Sequence, residues 1–248
     1  MMKSWTMRLI AANVVMFLLT QLQPSISLQL MLVPSMVIER PWTLITYMFL
    51  HAGTLHLLFN MLGLYFFGPR LEEELGERDF LLLYFISGIA GALLSFITPN
   101  AWIVGASGAI FGVFLGYARF WPRETILIWG IIPLEARWFV AIMTVLSIFG
   151  GFSGGDNVAH FAHLGGFLGG YLFLLLRGSK QRKRLSTLQG PAVTFGRSDV
   201  ERWKAIDKNA LHEVNRSELE RILAKLDAQG PESLTSQEQL FLERFSKL

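Results

Sequence analysis

Cysteine is absent from this chain of 248 residues. A disulfide framework, a thiolate nucleophile and a thiolate metal site are therefore all excluded. Charged side chains are also scarce, since Asp, Glu, Lys and Arg together make up 17% of the residues and the net charge is +3. This charge balance gives no reason to expect nucleic acid as a partner.

Apolar residues are plentiful instead, at 52% of the chain, with a mean hydropathy of +0.42. Nearly all of the long apolar runs lie before Arg177, and several approach the ~20 residues that a helix needs to span a bilayer. Residues 1–176 carry 8 basic and 9 acidic side chains, whereas residues 177–248 carry 14 and 10. The pattern predicts a membrane-embedded body at 1–176, a basic linker at 177–198 and a small cytosolic helical module at 199–248.

Hydropathy and helix-breaking residues predict six helices in the membrane body, and so an all-α, polytopic membrane protein with a small C-terminal helical extension. The predicted helices cover roughly 9–22, 53–68, 80–98, 107–119, 136–151 and 160–176. No cleavage site stands out before Pro24, so the first run is expected to be a retained span rather than a signal peptide. The connection 121–135 is apolar but interrupted by Pro122, Gly130 and Pro133, and we expect it to lie along the membrane interface.

Basic residues predict the orientation. Of the thirteen Lys and Arg residues up to Arg184, twelve fall on one side of the predicted membrane, and only Arg40 falls on the other. Basic residues accumulate on the cytoplasmic side of membrane proteins. Both termini are therefore expected in the cytoplasm, as an even number of spans requires.

Two polar side chains within apolar helices stand out as candidates for chemistry. Ser107 begins the fourth predicted helix, and His163 lies about one turn into the sixth. Polar side chains within membrane spans are costly and commonly functional. A serine and a histidine are also the two groups that nucleophilic acyl transfer needs, and the predicted topology places both at similar depth near the outer side.

Small residues accompany both side chains. Glycines recur every four residues in the fourth and sixth predicted helices, as Gly108, Gly112 and Gly116, as Gly165 and Gly169, and as Gly166 and Gly170. Such spacing permits close helix approach in lipid, as a Ser–His hydrogen bond requires, although glycine is common in membrane helices generally.

The second predicted helix carries His56 and Asn60 on one face, with His51 one turn earlier. Such donors could stabilise a developing oxyanion together with the backbone N–H of Ser107. The alternative is that they only join neighbouring helices by hydrogen bonds. A metal site at His56, His160 and His163 is disfavoured, because there is no H-E-x-x-H motif and no carboxylate at that depth on those helices. His160 is instead expected at the rim or in packing.

These residues resemble the rhomboid family of intramembrane serine proteases. The shared pattern comprises His51-x4-His56-x3-Asn60, Glu72-x3-Gly76, Gly105-x-Ser107-Gly108 and His163-x2-Gly166-x3-Gly170, in order over residues ~40–176. A strand–serine–helix elbow of the soluble hydrolases does not fit, because position 109 is Ala and the surroundings are membrane helices.

The resemblance implies a role for each matched residue. Ser107 would be the nucleophile and His163 the general base, without an aspartate, while His56 and Asn60 would be oxyanion donors. Structural residues near the site would be His51, Gly105, Phe111, Gly166 and Gly170, and Glu72 would be structural in a cytoplasmic loop. Two positions depart from the common pattern: Thr43 follows Trp42 where an arginine is frequent, and Phe111 stands where some members have a tyrosine.

The resemblance further implies a bacterial inner-membrane protease that needs no cofactor or metal. Its substrates would be single-span membrane proteins, cut within or near the transmembrane segment where the helix unwinds. Independently of the resemblance, the short glycine-rich segment 152–159 is expected to form a mobile cap over the site. The alternatives are a catalytically silent rhomboid-like binder or chaperone of membrane helices and, less well supported, a small transporter. Membrane lipid is a further expected partner, and the C-terminal module could contact another protein.

Overall fold

The computed structural model describes residues 4–128, 130–153, 159–188 and 197–246. This part of the chain forms eleven α-helices and one β-hairpin: α1 (Trp5–Leu22), α2 (Ser25–Leu30), α3 (Thr43–Thr46), α4 (Thr54–Leu75), α5 (Glu77–Leu94), α6 (Ser107–Phe120), β1 (Thr125–Ile128), β2 (Ile132–Glu135), α7 (Ala136–Ser153), α8 (His160–Leu188), α9 (Arg197–Lys204), α10 (Glu213–Gln229) and α11 (Ser236–Phe245). Short 3-10 turns cover Pro34–Met36, Tyr47–Phe49, Ser95–Ile97, Lys208–Ala210 and Pro231–Ser233. The chain divides into two compact units, Met1–Gly178 and Ser179–Leu248.

The first unit is the predicted helical bundle, in which each of the six predicted helices has a counterpart: α1, α4, α5, α6, α7 and α8. Three helical stretches are long and apolar enough to cross a membrane, namely Trp5–Leu22, Glu77–Ile97 and His160–Gly178, and a fourth is the bent pair Thr43–Phe49 and Thr54–Leu75. Ala136–Phe152 is a shorter apolar helix. The chain is therefore a polytopic integral membrane protein.

The short helix α6 has only 14 residues, fewer than a lone span requires. The irregular segment that leads into it is buried in protein, since Ile103 and Ala106 are among the core residues. Ile103 also forms an isolated β-bridge with Leu32. Non-helical backbone is tolerated at membrane depth where protein surrounds it, so α6 can begin inside the bundle.

The connection 121–135 departs from the all-α prediction. Thr125–Ile128 pairs antiparallel with Ile132–Glu135, and Gly130 in the turn between them has φ +71°. β-branched residues favour strands, and a glycine accepts the positive φ of a tight turn. A short apolar run cannot be assigned to strand or helix by periodicity alone, which explains why the hairpin was not predicted.

The second unit has its own hydrophobic core, which includes Trp203, Leu219, Ile222 and Leu242. Thr235 and Glu238 form a capping box at the start of α11. The segment predicted as a linker differs in part, because α8 continues as a helix through Leu188. The charged residues after Arg177 are compatible with a helix, and no proline interrupts the segment, so α8 continues through them. Residues 189–196 of that segment lie outside the described part of the chain.

Candidate active site

Ser107 and His163 meet where the N-terminal ends of α6 and α8 lie side by side. The Oγ atom of Ser107 and the Nε2 atom of His163 are 2.8 Å apart. With Nε2 unprotonated, the hydroxyl donates to it, and the imidazole is placed to take the serine proton as Oγ attacks a carbonyl carbon. Both residues are only partly buried, so an incoming group can reach them.

Phe111 supports the imidazole from one side. It follows Ser107 by one helical turn, and its ring stacks on that of His163 at a centroid distance of 4.1 Å and an interplanar angle of 20°. Phe167 packs against Phe111 in turn, at 4.8 Å. This aromatic stack restricts the rotation of the histidine ring and orients Nε2 toward α6.

Glycines allow α8 to approach α6 closely enough for this bond. A methyl group at Gly166 would overlap the carbonyl oxygen of Gly108, and one at Gly170 would lie 2.9 Å from the Cα atom of Gly112. Any larger side chain would therefore push the two backbones apart. The predicted contact between small residues is present at these positions.

Tyr47 joins the site to two further elements, and sequence reasoning did not single it out. Its hydroxyl donates to the carbonyl oxygen of Gly88 in α5 at 2.7 Å, and its own carbonyl accepts from the N–H of Gly105 at 2.9 Å. Gly105 has φ +126°, a conformation that favours glycine. A tyrosine within an aromatic-rich apolar stretch carries no periodic signal that would have identified it.

His56 lies beside the nucleophile. A methyl group at Gly105 would lie 2.7 Å from the Nε2 atom of His56 and 3.7 Å from the Oγ atom of Ser107, so both side chains border the same small space. The Nδ1 atom of His56 accepts from the N–H of Ala52 at 3.4 Å. In the neutral ring this leaves the proton on Nε2, the nitrogen nearer to Gly105, where it can donate to an oxyanion.

Asn60 is buried one turn below His56 on the same helix. Its Nδ2 atom donates to the carbonyl oxygen of His56 at 2.8 Å. One amide hydrogen is thus used within α4, and the second remains for another acceptor. Asn60 therefore lies on the same face of α4 as His56, as predicted, and His56 in turn borders Ser107.

His51 is buried and contacts His56 edge-on, with ring centroids 5.0 Å apart. His160 faces His163 edge-on at 6.2 Å. A methyl group at Gly150 of α7 would overlap the His160 ring, so this histidine packs between α7 and the dyad. Within the described residues, no group of three His, Asp or Glu side chains is arranged to hold a metal ion.

Glu72 lies at the opposite end of the bundle and within α4, not in a loop as expected. Its carboxylate accepts from the backbone N–H groups of Trp5 at 2.7 Å and Thr6 at 2.9 Å, and from the hydroxyls of Ser4 at 2.6 Å and Thr6 at 2.7 Å. It thereby caps the N-terminus of α1, whose first N–H groups have no partner within the helix. The predicted cap segment 152–159 falls mostly on residues 154–158, outside the described part of the chain.

Comparison with known proteins finds a match to the Rhomboid domain over residues 39–180. RHOMBOID-like protein 1 of Arabidopsis thaliana is 44% identical over 144 residues, which cover 56% of this chain and 35% of that protein. Rhomboid-like protease 3 of Toxoplasma gondii is 40% identical over 134 residues, covering 52% and 49%. The rhomboid protein YdcA of Bacillus subtilis (strain 168) is 39% identical over 150 residues, covering 58% and 70%. The chain spans well under two thirds of the Arabidopsis and Toxoplasma relatives.

Proposed function

Because the chain belongs to the rhomboid family, with the domain matched over residues 39–180, we propose that it is an intramembrane serine endopeptidase. Ser107 is the nucleophile and His163 the general base. The observation that carries this proposal is the 2.8 Å contact between the Oγ atom of Ser107 and the Nε2 atom of His163. The two residues are 56 positions apart in the chain, and their helices bring together the nucleophile and base that acyl transfer needs.

The chemical steps follow from these positions. Oγ of Ser107 forms a bond to the scissile carbonyl carbon while its proton passes to Nε2 of His163. The tetrahedral intermediate then expels the amine, which takes that proton, and leaves an acyl-serine. Water attacks the acyl carbon and gives a proton to Nε2 of His163. The second tetrahedral intermediate then breaks its bond to Oγ and releases the carboxylic acid, while His163 returns the proton to Oγ of Ser107.

The developing oxyanion is held by donors around Gly105. His56 presents Nε2 toward this space, and the backbone N–H of Ser107, in the first turn of α6, has no partner within that helix. Asn60 adds an amide hydrogen from the same face of α4. Loss of one such donor costs about 10²–10³-fold in kcat, so His56→Ala is expected to fall in that range.

The substrates that fit this site are single-span membrane proteins. Peptide bonds inside a helix are shielded, so the segment to be cut unwinds, and the enzyme supplies partners for its freed backbone groups. The basic residues favour an orientation with both termini in the cytoplasm, and the rhomboid resemblance favours the inner bacterial membrane. The C-terminal unit is proposed to contact another protein.

Cleavage of a single-span substrate in liposomes tests the proposal. Wild type is compared with Ser107→Ala and His163→Ala, and with Ser35→Ala and His212→Ala as controls that remove the same residue types at positions outside the shared rhomboid pattern. We expect cleavage by wild type and both controls and only background with the two dyad variants. Cleavage by the dyad variants at the wild-type rate would refute the mechanism.

A fluorophosphonate probe separates an unsuitable substrate from an inactive protein. Labelling at Ser107 without cleavage would mean that another substrate is required. If neither cleavage nor labelling occurs, the chain acts instead as a silent binder of membrane helices.

A further inference from the structure

The hairpin formed by β1 and β2 exposes apolar side chains at its turn. Ile131 is 80% exposed, and Leu127 and Ile132 are each 58% exposed. Solvent-exposed apolar strands are aggregation-prone, and proteins normally cover or blunt them. A covering surface is therefore needed, and the fold indicates which one.

The hairpin is adjacent in the chain to an exposed apolar helix, α7. It starts just after α6 ends at Phe120 and leads directly into α7 at Ala136. Exposed apolar side chains continue along α7 with Ile142, Val145 and Phe149. The apolar turn is thus close in the chain to the surface that faces lipid.

The charges beside the hairpin are predominantly positive. Glu124 is paired with Arg70 at 3.0 Å, and Glu135 with Arg137 at 2.7 Å, so both acidic groups are neutralised. Arg119 and Arg123 are exposed and form no ion pair among the described residues. Clustered arginines at a bilayer surface attract anionic headgroups.

The backbone limits how deep the hairpin can go. Each strand of a two-stranded hairpin has one edge with no neighbouring strand. Unpaired N–H and C=O groups cannot enter the hydrocarbon core without large cost. At the boundary between headgroups and acyl chains, the apolar turn can be buried among acyl chains. Water is still present there, so the unpaired edges of the strands can hydrogen-bond to it.

We propose that the β1–β2 hairpin is an interfacial anchor that inserts Leu127, Ile131 and Ile132 into the headgroup–acyl boundary of an anionic phospholipid bilayer. Arg119 and Arg123 contact the phosphate and carboxylate groups of that leaflet. Trp121 and Trp138 frame the hairpin, as aromatic residues do at membrane interfaces. The anchor does not depend on whether Ser107 is catalytic.

The absence of native cysteine allows a direct test with the full chain. Ile131→Cys is labelled with an environment-sensitive fluorophore, and the protein is reconstituted into vesicles of phosphatidylcholine with or without phosphatidylglycerol. Phe149→Cys on α7 is the lipid-facing control, and Glu220→Cys, an exposed charged position in the second unit, is the water-facing control. Quenching is measured with aqueous iodide and with lipids brominated either near the headgroup or near the bilayer centre.

We expect the label at Ile131 to be quenched mainly by bromine near the headgroup, and more strongly in anionic vesicles. Arg119→Gln and Arg123→Gln are each expected to lower the ratio of inserted to withdrawn hairpin about fivefold in anionic vesicles. Unchanged quenching at Phe149 shows that these variants keep the bundle in place.

Three results would overturn the proposal. The label could be as open to iodide as the one at Glu220, which would place the hairpin in water. Protection from both iodide and brominated lipid, rising with protein density, would mean that a second copy covers it. If insertion is the same with and without phosphatidylglycerol and in the arginine variants, anionic lipid has no part in anchoring the hairpin.

Discussion

The substitution Gly166→Ala tests whether the dyad depends on close contact between α6 and α8. A methyl group at this position would lie 2.8 Å from the carbonyl carbon of Gly108 and would overlap the carbonyl oxygen. Non-bonded carbons rest about 3.5–4.0 Å apart, so the helices must separate by roughly 0.7–1.2 Å. The overlapped atoms belong to the backbone of Gly108, which cannot rotate away from the methyl group as a flexible side chain would.

The separation acts directly on the dyad, because Ser107 precedes Gly108 and His163 lies one turn before Gly166. A 2.8 Å hydrogen bond lengthened by this amount is at or beyond ~3.5 Å, which no longer counts as one. A misplacement of ~1 Å costs about 100-fold in rate. Overpacking of this kind also costs about 1–3 kcal/mol of stability, which is less than the usual total for a folded domain.

The assay is cleavage in liposomes, with labelling by fluorophosphonate and the thermal midpoint in detergent measured in parallel. Gly178→Ala is the matched control, because it is the same substitution in the same helix with no atom within 4 Å of the added carbon. We expect Gly166→Ala to lose about 100-fold in kcat/KM while still unfolding cooperatively, and Gly178→Ala to match wild type. Full activity in Gly166→Ala would show that helix contact does not set the geometry of the dyad.

Three further predictions concern other contacts. Phe111→Leu removes the ring stacked on His163 and is expected to lower kcat/KM by about 3–10-fold, since an aromatic pair contributes ~0.5–1.5 kcal/mol beyond burial; Phe111→Tyr retains the stack, and equal loss in both variants would contradict this. Gly150→Ala is expected to lower the thermal midpoint by overlap with the ring of His160, and adding His160→Ala should restore part of it; strictly additive effects would disprove the contact. In the second unit, a hydrogen bond from Lys225, then the N–H of Thr235, lowers the pKa of Glu238 to about 2. Because the pKa is lowered, ionised Glu238 stabilises the fold when the pH is above the unfolded-state pKa of ~4.3. That stabilisation is lost as the pH falls toward 2. Hydrogen exchange of α11 amides in the full chain should therefore accelerate below pH ~4 beyond the intrinsic change, and Glu238→Gln should abolish that dependence; an unchanged pH response in the variant would refute the assignment.

The sequence predicts the helices of the bundle well because their boundaries carry local signals. Pro99 and Asn100 follow the third helix, and the small residues before Ser107 begin the fourth. The pairing of Ser107 with His163 was also predictable, since an ionisable residue in a membrane helix has few non-functional explanations. Its distance was not, because that depends on backbone contacts between glycines 58 positions apart, such as Gly108 and Gly166.

Other features depend on tertiary context that no local pattern carries. Glu72 was expected in a cytoplasmic loop because the rhomboid resemblance implied it, yet α4 continues past it and uses its carboxylate to cap another helix. Asn60 was expected as an oxyanion donor, and one of its hydrogens is used by its own helix. The hairpin was missed because four-residue apolar strands have too little length to show a period.

The two ends of the bundle are held together by different forces. Among the described residues of the first unit, ion pairs lie only at the end away from Ser107: Arg70 with Glu124, Arg177 with Asp79, and Arg137 with Glu135. The carboxylate of Glu72 joins α1 to α4 at the same end.

The end that carries the dyad relies on contacts between glycines and on hydrogen bonds of neutral groups, such as that from Tyr47 to Gly88. Hydrogen bonds to a charged group, such as those that the buried carboxylate of Glu72 accepts, contribute about 1.5–3 kcal/mol each, whereas a typical neutral hydrogen bond contributes about 0.5–1.5 kcal/mol. Local opening starts where the contacts are weakest. We therefore expect amides near Ser107 to exchange before those near Arg70, so that helices separating to admit a substrate would pivot about the charged end.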